Sequence, residues 1–368
     1  MSAIRSVLCL FTVAATVTMA AAQSRRVQPT PTPTPQDETL KIHTEEIRLN
    51  VLAFDEGGKF FEDVKPEDLV ITENDVLHQP SSVRRVPANV LIVMDTGGEL
   101  RVVKSLDNTR KIAYAVVNSL RPGDSVGLVE YADKADVVQE WTSDKKEIFA
   151  AIKRTNFGRR SDFVDALKLS RDLFLRSGLD NKHLVLITDG TDSFAKSSDK
   201  FDALQALLTT DITVHVISYT AMESMSIEPR TKGTSKTPPP KALPPEVEAQ
   251  LPNGVKPPGA KVGPTVSLDR TLIRRMKDRK LDLDISQGQL EKIAENSNGE
   301  FILPDNFDEM LLKAPLVSRM IDSSYVVTYM PKLPVVETRG VAERDIVVSS
   351  KRTGLVVQAR RKLLIASK

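Results

Sequence analysis

Short apolar runs alternate with helical periodicities through the middle of the chain, from Val90 to Tyr219. Runs such as "NVLIVMD" and "HLVLITDG" resemble strands that are buried on both faces of a sheet. Between these runs, apolar residues recur three or four positions apart, which predicts helices that pack on one face. Strands that alternate with helices are joined by crossovers, so the pattern predicts an α/β fold with a mostly parallel sheet.

The segments on either side of this region have strand patterns instead. Residues 42–86 alternate around Ile47, Leu49 and Val51 and contain turn signals, and residues 321–368 contain three short apolar runs. Short open strands need partners. We therefore expect the N-terminal and C-terminal β segments to pack together as a β unit.

Two proline-rich segments interrupt these patterns. Residues 23–41 form a Pro/Thr-rich spacer, for which repeated Pro-Thr predicts an extended chain. Residues 222–282 form an insert with twelve Lys and Arg against seven Asp and Glu, a net charge of +5. Within it, Pro229 to Pro264 has too few apolar residues to form a core and is predicted to be disordered. Anionic envelope surfaces are candidate contacts for this basic insert.

The N-terminus has the three parts of a secretory signal. Met1 to Arg5 is positively charged, Ser6 to Ala22 is apolar with small residues, and three alanines precede Gln23. We expect residues 1–22 to direct export to the periplasm or the extracellular space, with an uncleaved anchor as the alternative. The single cysteine, Cys9, lies in this segment, so the exported chain has no disulfide. The net charge of +2 implies no particular partner.

Two apolar strand candidates end on aspartates. "VLIVMDTGGEL" contains Asp95 and "VLITDGTDS" contains Asp189. The carboxyl ends of parallel strands lie at the same edge of a sheet, where ligands bind in α/β folds. We therefore expect Asp95 on a central strand and Asp189 on its neighbour, at the same edge.

These motifs, together with "LRPGDSVGLVEYADKADVVQEWT" and "GRRSDFVDAL", resemble the von Willebrand factor type A domain. The β segments resemble those that bracket this domain in exported bacterial proteins of a related subfamily. The resemblance implies that residues 87–320 form a sheet with helices on both faces. It also implies a non-enzymatic protein-interaction module with a metal-ion-dependent adhesion site, in which Mg²⁺ or Mn²⁺ is bridged to an acidic side chain of the partner protein.

The resemblance assigns the metal ligands to Asp95, Glu99, Ser161 and Asp189. Asp95 and Asp189 match the family's aspartates, and Ser161 stands where the family has a threonine. Gly97 and Glu99 replace two serines of the motif, so the site is degenerate. Four oxygens with added water would suit Mg²⁺. Two alternatives stay open: Glu99 fills the partner's position, or the metal is lost.

Other classes of function have less support. A phosphatase of the haloacid dehalogenase type needs an acid where Gly97 stands, and nucleotide-binding glycine motifs are absent from the sequence. The four histidines are scattered, which favours structural roles over zinc binding. We expect no nucleic-acid partner. The alternatives to an interaction module are a metal-dependent enzyme or enzyme accessory subunit of the envelope, and a structural envelope protein without metal.

Overall fold

The computed structural model describes residues 46–98, 103–236, 265–266, 268–332 and 341–366. The predicted signal and spacer, Glu99 and residues 237–264 of the insert lie outside the described residues. The predicted disorder is wrong for residues 229–236, because Pro229 and Thr231 are buried and Thr234–Ser235 pairs with Thr265–Val266.

In the central region, helices separate most of the strands, as the sequence predicts. The strands are β1 (Ile47–Phe54), β2 (Leu69–Glu73), β3 (Val76–His78), β4 (Ser82–Arg84), β5 (Asn89–Asp95), β6 (Ser125–Tyr131), β7 (Ala135–Thr142), β8 (Lys182–Thr188), β9 (Thr213–Ser218), β10 (Thr234–Ser235), β11 (Thr265–Val266), β12 (Phe301–Ile302), β13 (Ser324–Tyr329), β14 (Val341–Ser350), β15 (Val356–Ala359) and β16 (Lys362–Ala366). The helices are α1 (Leu106–Ser119), α2 (Lys145–Arg154), α3 (Phe163–Ser177), α4 (Ser197–Leu208), α5 (Thr220–Ile227), α6 (Arg270–Ser297) and α7 (Phe307–Asp322).

A six-stranded sheet forms the centre of the molecule, in the order β12-β9-β8-β5-β6-β7. Only the edge strand β7 runs antiparallel to its neighbour in this sheet. Alternate residues of β5 enter two separate cores: Ile92 packs with α1, α2 and α7, and Val93 packs with α3, α4 and α6. The predicted α/β fold with helices on both faces of a mostly parallel sheet is confirmed.

The two flanking segments form a β unit of two four-stranded sheets, ordered β15-β1-β13-β4 and β16-β14-β2-β3. Strands from before and after the α/β region pair with each other, as in β1 with β13 and β2 with β14. The predicted pairing of the two segments is therefore confirmed.

The β unit contacts the edge of the central sheet where the parallel strands begin. Asn50 Nδ2 donates to Thr213 Oγ1 at 3.1 Å, and Thr213 is the first residue of β9. The Arg360 guanidinium donates to the carbonyls of Thr210 and Ile212 just before that strand. The carboxyl ends of the parallel strands, with Asp95, therefore lie at the opposite edge.

Helix α6 is one continuous helix of 28 residues. The sequence places residues 270–282, the first half of this helix, inside the insert. Met276, Leu283 and Leu290 are seven positions apart and are all buried, so a single face of α6 packs along the molecule. Among the described helices, none is both long and apolar enough to cross a membrane.

Two buried histidines connect β8 to β9 and to the start of β12. The backbone N–H of Glu300 donates to Nδ1 of His215, so this ring carries its proton on Nε2 and donates to Nδ1 of His183 at 3.1 Å. Nε2 of His183 then donates to Oδ1 of Asn181 at 2.9 Å. One neutral tautomer of each ring satisfies the whole chain of hydrogen bonds. Burial lowers the pKa of His215 to about 3 and the pKa of His183 well below its ordinary value.

This histidine pair predicts a loss of stability in mild acid. Both rings stay neutral in the folded protein but accept protons in the unfolded chain below its pKa of 6.5. The unfolded state then binds more protons, so the free energy of unfolding falls by up to about 1.4 kcal/mol per pH unit for each ring. We expect His215→Gln to remove roughly half of this slope between pH 6.5 and 5. Urea unfolding, monitored by the fluorescence of Trp141, measures this slope. Equal slopes in the variant and the wild type would contradict the role of the histidine pair.

Candidate functional site

The two aspartates predicted from the sequence lie on neighbouring strands at the carboxyl edge of the central sheet. Asp95 is the last residue of β5, and Asp189 directly follows β8, which pairs with β5. Both side chains are completely buried. The crossovers on either side of β5 and β8 therefore bring two carboxylates together in a dry environment.

Ser161 joins this pair from the loop before α3. Its hydroxyl donates to Asp95 Oδ1 at 3.4 Å. The backbone of Ser161 is held by Ser193, whose N–H donates to the Ser161 carbonyl at 2.7 Å and whose Oγ accepts the Ser161 N–H at 3.0 Å. The structure thus brings together Asp95, Ser161 and Asp189, while Glu99 lies outside the described residues.

Lys104 lies between the two carboxylates, although the sequence did not indicate it. Its ammonium Nζ donates to Asp95 Oδ2 at 2.6 Å and to Asp189 Oδ2 at 3.0 Å. The side chain is completely buried, as are both of its partners. Lysine is almost never fully buried unless it is paired, and here it is paired twice.

The backbone at Lys104 is fixed by a buried carboxylate of α5. Oε1 of Glu223 accepts the N–H groups of Val103 at 2.9 Å and of Lys104 at 2.8 Å. Ser105 follows as the N-cap of α1, and its hydroxyl oxygen accepts the N–H of Asn108. Lys104 therefore projects from a segment that is anchored on both sides of its Cα.

A second cation reaches the site from α6. Nη2 of Arg279 donates to Asp189 Oδ2 at 3.0 Å, and Nη1 lies 3.8 Å from Asp282 Oδ2 on the same helix. Arg279 belongs to the basic stretch that the sequence assigns to the insert, and it too was missed as a site residue.

The two carboxylates differ in their protonation behaviour. Burial raises the pKa of Asp95, against the opposing effect of the Lys104 ammonium. Burial also acts on Asp189, but Lys104, Arg279 and two hydrogen bonds from Thr191 outweigh it and hold the Asp189 pKa far below its ordinary value. Asp189 therefore keeps its negative charge at a lower pH than Asp95 does.

The described residues do not fit the expected divalent cation. Mg²⁺ needs about six oxygens at roughly 2.0–2.1 Å. The space between Asp95 and Asp189 is filled by the Lys104 ammonium, which a dication would have to displace. Among the residues that the structure describes, no group of three or more His, Cys, Asp or Glu side chains is placed to hold a metal ion.

Close packing around Gly97 also works against the metal motif. A Cβ at this position would lie 1.8 Å from the carbonyl oxygen of Arg160 and 2.9 Å from Cα of Ala132. The serine that the motif has at this position would therefore clash with backbone atoms. The glycine is required by the close approach of two loops.

Two exposed side chains lie on the surface beside the buried cluster. The guanidinium of Arg160, the residue before Ser161, lies 5.2 Å from the ring centroid of Phe194. Half of the Phe194 side chain is accessible to solvent. The loop that carries Phe194 is fixed by the Asp192 carboxylate, which accepts the N–H groups of Phe194 and Ala195. A cation and an aromatic ring are thus presented together, next to Ser161.

Comparison with known proteins gives a family match for the region that contains this site. Residues 90–191 match the family model of the von Willebrand factor type A domain, which confirms the resemblance predicted from the sequence. No curated protein matches the chain significantly.

Solved structures similar to this chain include three proteins. BatB from Bacteroides thetaiotaomicron is 17% identical, covers 63% of this chain and 98% of its own, and has a TM-score of 0.39. A von Willebrand factor type A protein from Catenulispora acidiphila is 11% identical, with coverages of 84% and 76% and a TM-score of 0.41. The manganese-loaded TRAP protein of Plasmodium vivax is 9% identical, with coverages of 86% and 97% and a TM-score of 0.38.

The packing around Gly97 predicts that the smallest possible side chain is not tolerated there. We expect Gly97→Ala to lower the free energy of unfolding by roughly 1–3 kcal/mol or more, because the backbone of Arg160 must move. The matched control is Gly288→Ala, since Gly288 lies inside α6 with open space around it. This control should be neutral or stabilise by up to about 1 kcal/mol. Equal urea unfolding midpoints for Gly97→Ala and the wild type would refute the close approach.

Proposed function

We propose that this protein is an exported, non-enzymatic interaction module that binds a protein partner at the carboxyl edge of its central sheet. The match of residues 90–191 to the von Willebrand factor type A domain supports a role in protein–protein interaction. The signal-like segment from Met1 to Ala22 supports export to the periplasm or the extracellular space.

The observation that carries this proposal is the complete burial of the charged cluster. Asp95, Lys104 and Asp189 have no solvent-accessible side-chain surface. A catalytic group must come within hydrogen-bond distance of its substrate. These three side chains are instead fully engaged with each other, which supports a role in holding the loops of this edge rather than in chemistry.

The partner that best fits the exposed surface carries an acidic side chain. Arg160 offers a guanidinium that can hold a carboxylate through two parallel hydrogen bonds, while its stacking on Phe194 limits the entropy lost on binding. Arginine and aromatic residues dominate the binding energy of protein interfaces. This arrangement keeps the acidic partner that the resemblance implies but replaces a metal bridge with a direct contact.

The metal-dependent enzyme considered from the sequence has no accessible metal-ligand set among the described side chains. The structural envelope protein without metal is the closer alternative, because it shares the buried cluster. It differs in having no partner at Arg160 and Phe194, so a binding experiment separates the two.

Binding to a protein from the host envelope should depend on Arg160 and Phe194. We expect the chain from Gln23 onwards to enrich a specific protein from an envelope extract at low salt, where screening is weakest. Arg160→Glu should lower the recovery of that protein by about tenfold or more, as expected for a hot-spot arginine. Phe194→Ala should lower the recovery as well. Quantitative mass spectrometry measures the recovery.

The control for this experiment is Val347→Ala. Val347 is exposed on β14 in the β unit, at the opposite edge of the central sheet. This variant should recover the same protein as the wild type. Equal recovery by Arg160→Glu, Phe194→Ala and Val347→Ala would contradict the proposed binding face.

A further inference from the structure

We propose that the Lys104 ammonium, assisted by the Arg279 guanidinium, is a built-in replacement for the divalent cation of the adhesion site. The chain would then fold and present its binding loops without Mg²⁺ or Mn²⁺. The inference deepens the proposed function at the same site, but it rests on the ion cluster alone and does not require that a partner binds.

The position of the ammonium carries the first step. Nζ of Lys104 contacts one oxygen of each aspartate, at 2.6 Å from Asp95 and 3.0 Å from Asp189. The ammonium thus bridges the ends of β5 and β8, as a metal ion bound to the two carboxylates would. Ordinary surface ion pairs contribute little, but a buried pair that loses one partner leaves an uncompensated charge in a low-dielectric site.

The buried aspartates are already paired with positive charges of the chain. The cluster holds two carboxylates, and the chain itself supplies two cations that contact them. Arg279 binds the same oxygen of Asp189 that Lys104 binds, Oδ2. Glu223 and Asp282 add carboxylates around this cluster, so the competition with a metal ion is confined to the point between the two aspartates. A dication placed there would lie against the Lys104 ammonium, and the two like charges would repel each other strongly away from water.

Both cations are anchored by neighbouring parts of the fold. Glu223 accepts the backbone N–H of Lys104, and Glu223 is itself completely buried in α5. Arg279 lies on α6, whose buried face includes Met276 and Leu283 on either side of it. Arg279 is therefore held within a packed helix, and the backbone at Lys104, in the loop before α1, is held by α5.

The altered motif carries the fourth step. Gly97 supplies no hydroxyl where the motif has a serine, and its close contact with the Arg160 carbonyl excludes any side chain. The chain thus lacks a ligand at Gly97 and has a cation at Lys104, next to the same aspartates. Both features favour an ion cluster that is complete without a metal.

The test compares the metal dependence of thermal unfolding in the wild type with that in Lys104→Ala. The wild type should melt at the same temperature in EDTA, in millimolar MgCl₂ and in millimolar MnCl₂. Lys104→Ala should melt several degrees lower, because Asp95 loses its ammonium partner. Mn²⁺ should restore part of that loss, and calorimetry should show Mn²⁺ binding at least about tenfold tighter than in the wild type.

Lys200→Ala is the matched control, because Lys200 is a second buried lysine near Asp189. Its Nζ donates to the Gly190 carbonyl at 3.2 Å and to Ser286 Oγ at 2.8 Å, without a contact to Asp95. We expect Lys200→Ala to melt at a lower temperature as well, but with no recovery in Mn²⁺. A gain of Mn²⁺ binding in this control would show that loss of any nearby lysine creates the site, which would overturn the specific role of Lys104.

Two results would overturn the replacement directly. The first is a wild-type protein that is stabilised by Mg²⁺ or Mn²⁺ and destabilised by EDTA. The second is a folded Lys104→Ala protein that gains no Mn²⁺ binding. If Lys104→Ala does not fold, the metal dependence of the wild-type melting temperature is the remaining test of whether the site works without a divalent cation. None of these measurements involves a partner, so their outcome is independent of the binding face proposed above.

Discussion

The structure at the carboxyl edge of the sheet depends on one constraint: two buried carboxylates need positive charge beside them. Asp95 and Asp189 end adjacent parallel strands, so the crossover topology forces their side chains together. Without compensation they would repel each other in a dry environment. Lys104 supplies the compensation from the segment before α1, and Arg279 supplies it from α6. Helices on opposite faces of the sheet are thereby tied to the same two strand ends.

At the opposite edge of the sheet, the buried contacts between strand starts include neutral hydrogen bonds between histidines. His183 and His215 sit near the strand starts and connect them to Asn181 and, through its side-chain oxygen, to Ser324 at the start of β13. The β unit covers this edge, which leaves the carboxyl edge as the accessible end of the parallel strands.

Much of the architecture could be predicted from the sequence, because strand and helix periodicities are local signals. The same holds for Asp95, Ser161 and Asp189, whose motifs are contiguous. The cations could not be found this way. Lys104 is nine residues from Asp95, and Arg279 is ninety residues from Asp189, within a stretch whose composition indicated a solvated insert. Their role depends on where α5 and α6 pack, which is a property of tertiary structure.

The central claim is that a lysine, rather than a metal ion, bridges Asp95 and Asp189. A crystal structure of the wild-type protein grown with Mn²⁺, with diffraction data collected at the manganese absorption edge, tests this most directly. We expect electron density for the Lys104 ammonium between the two carboxylates and no anomalous peak there. An anomalous peak coordinated by Asp95 and Asp189, with the Lys104 side chain turned away, would contradict it.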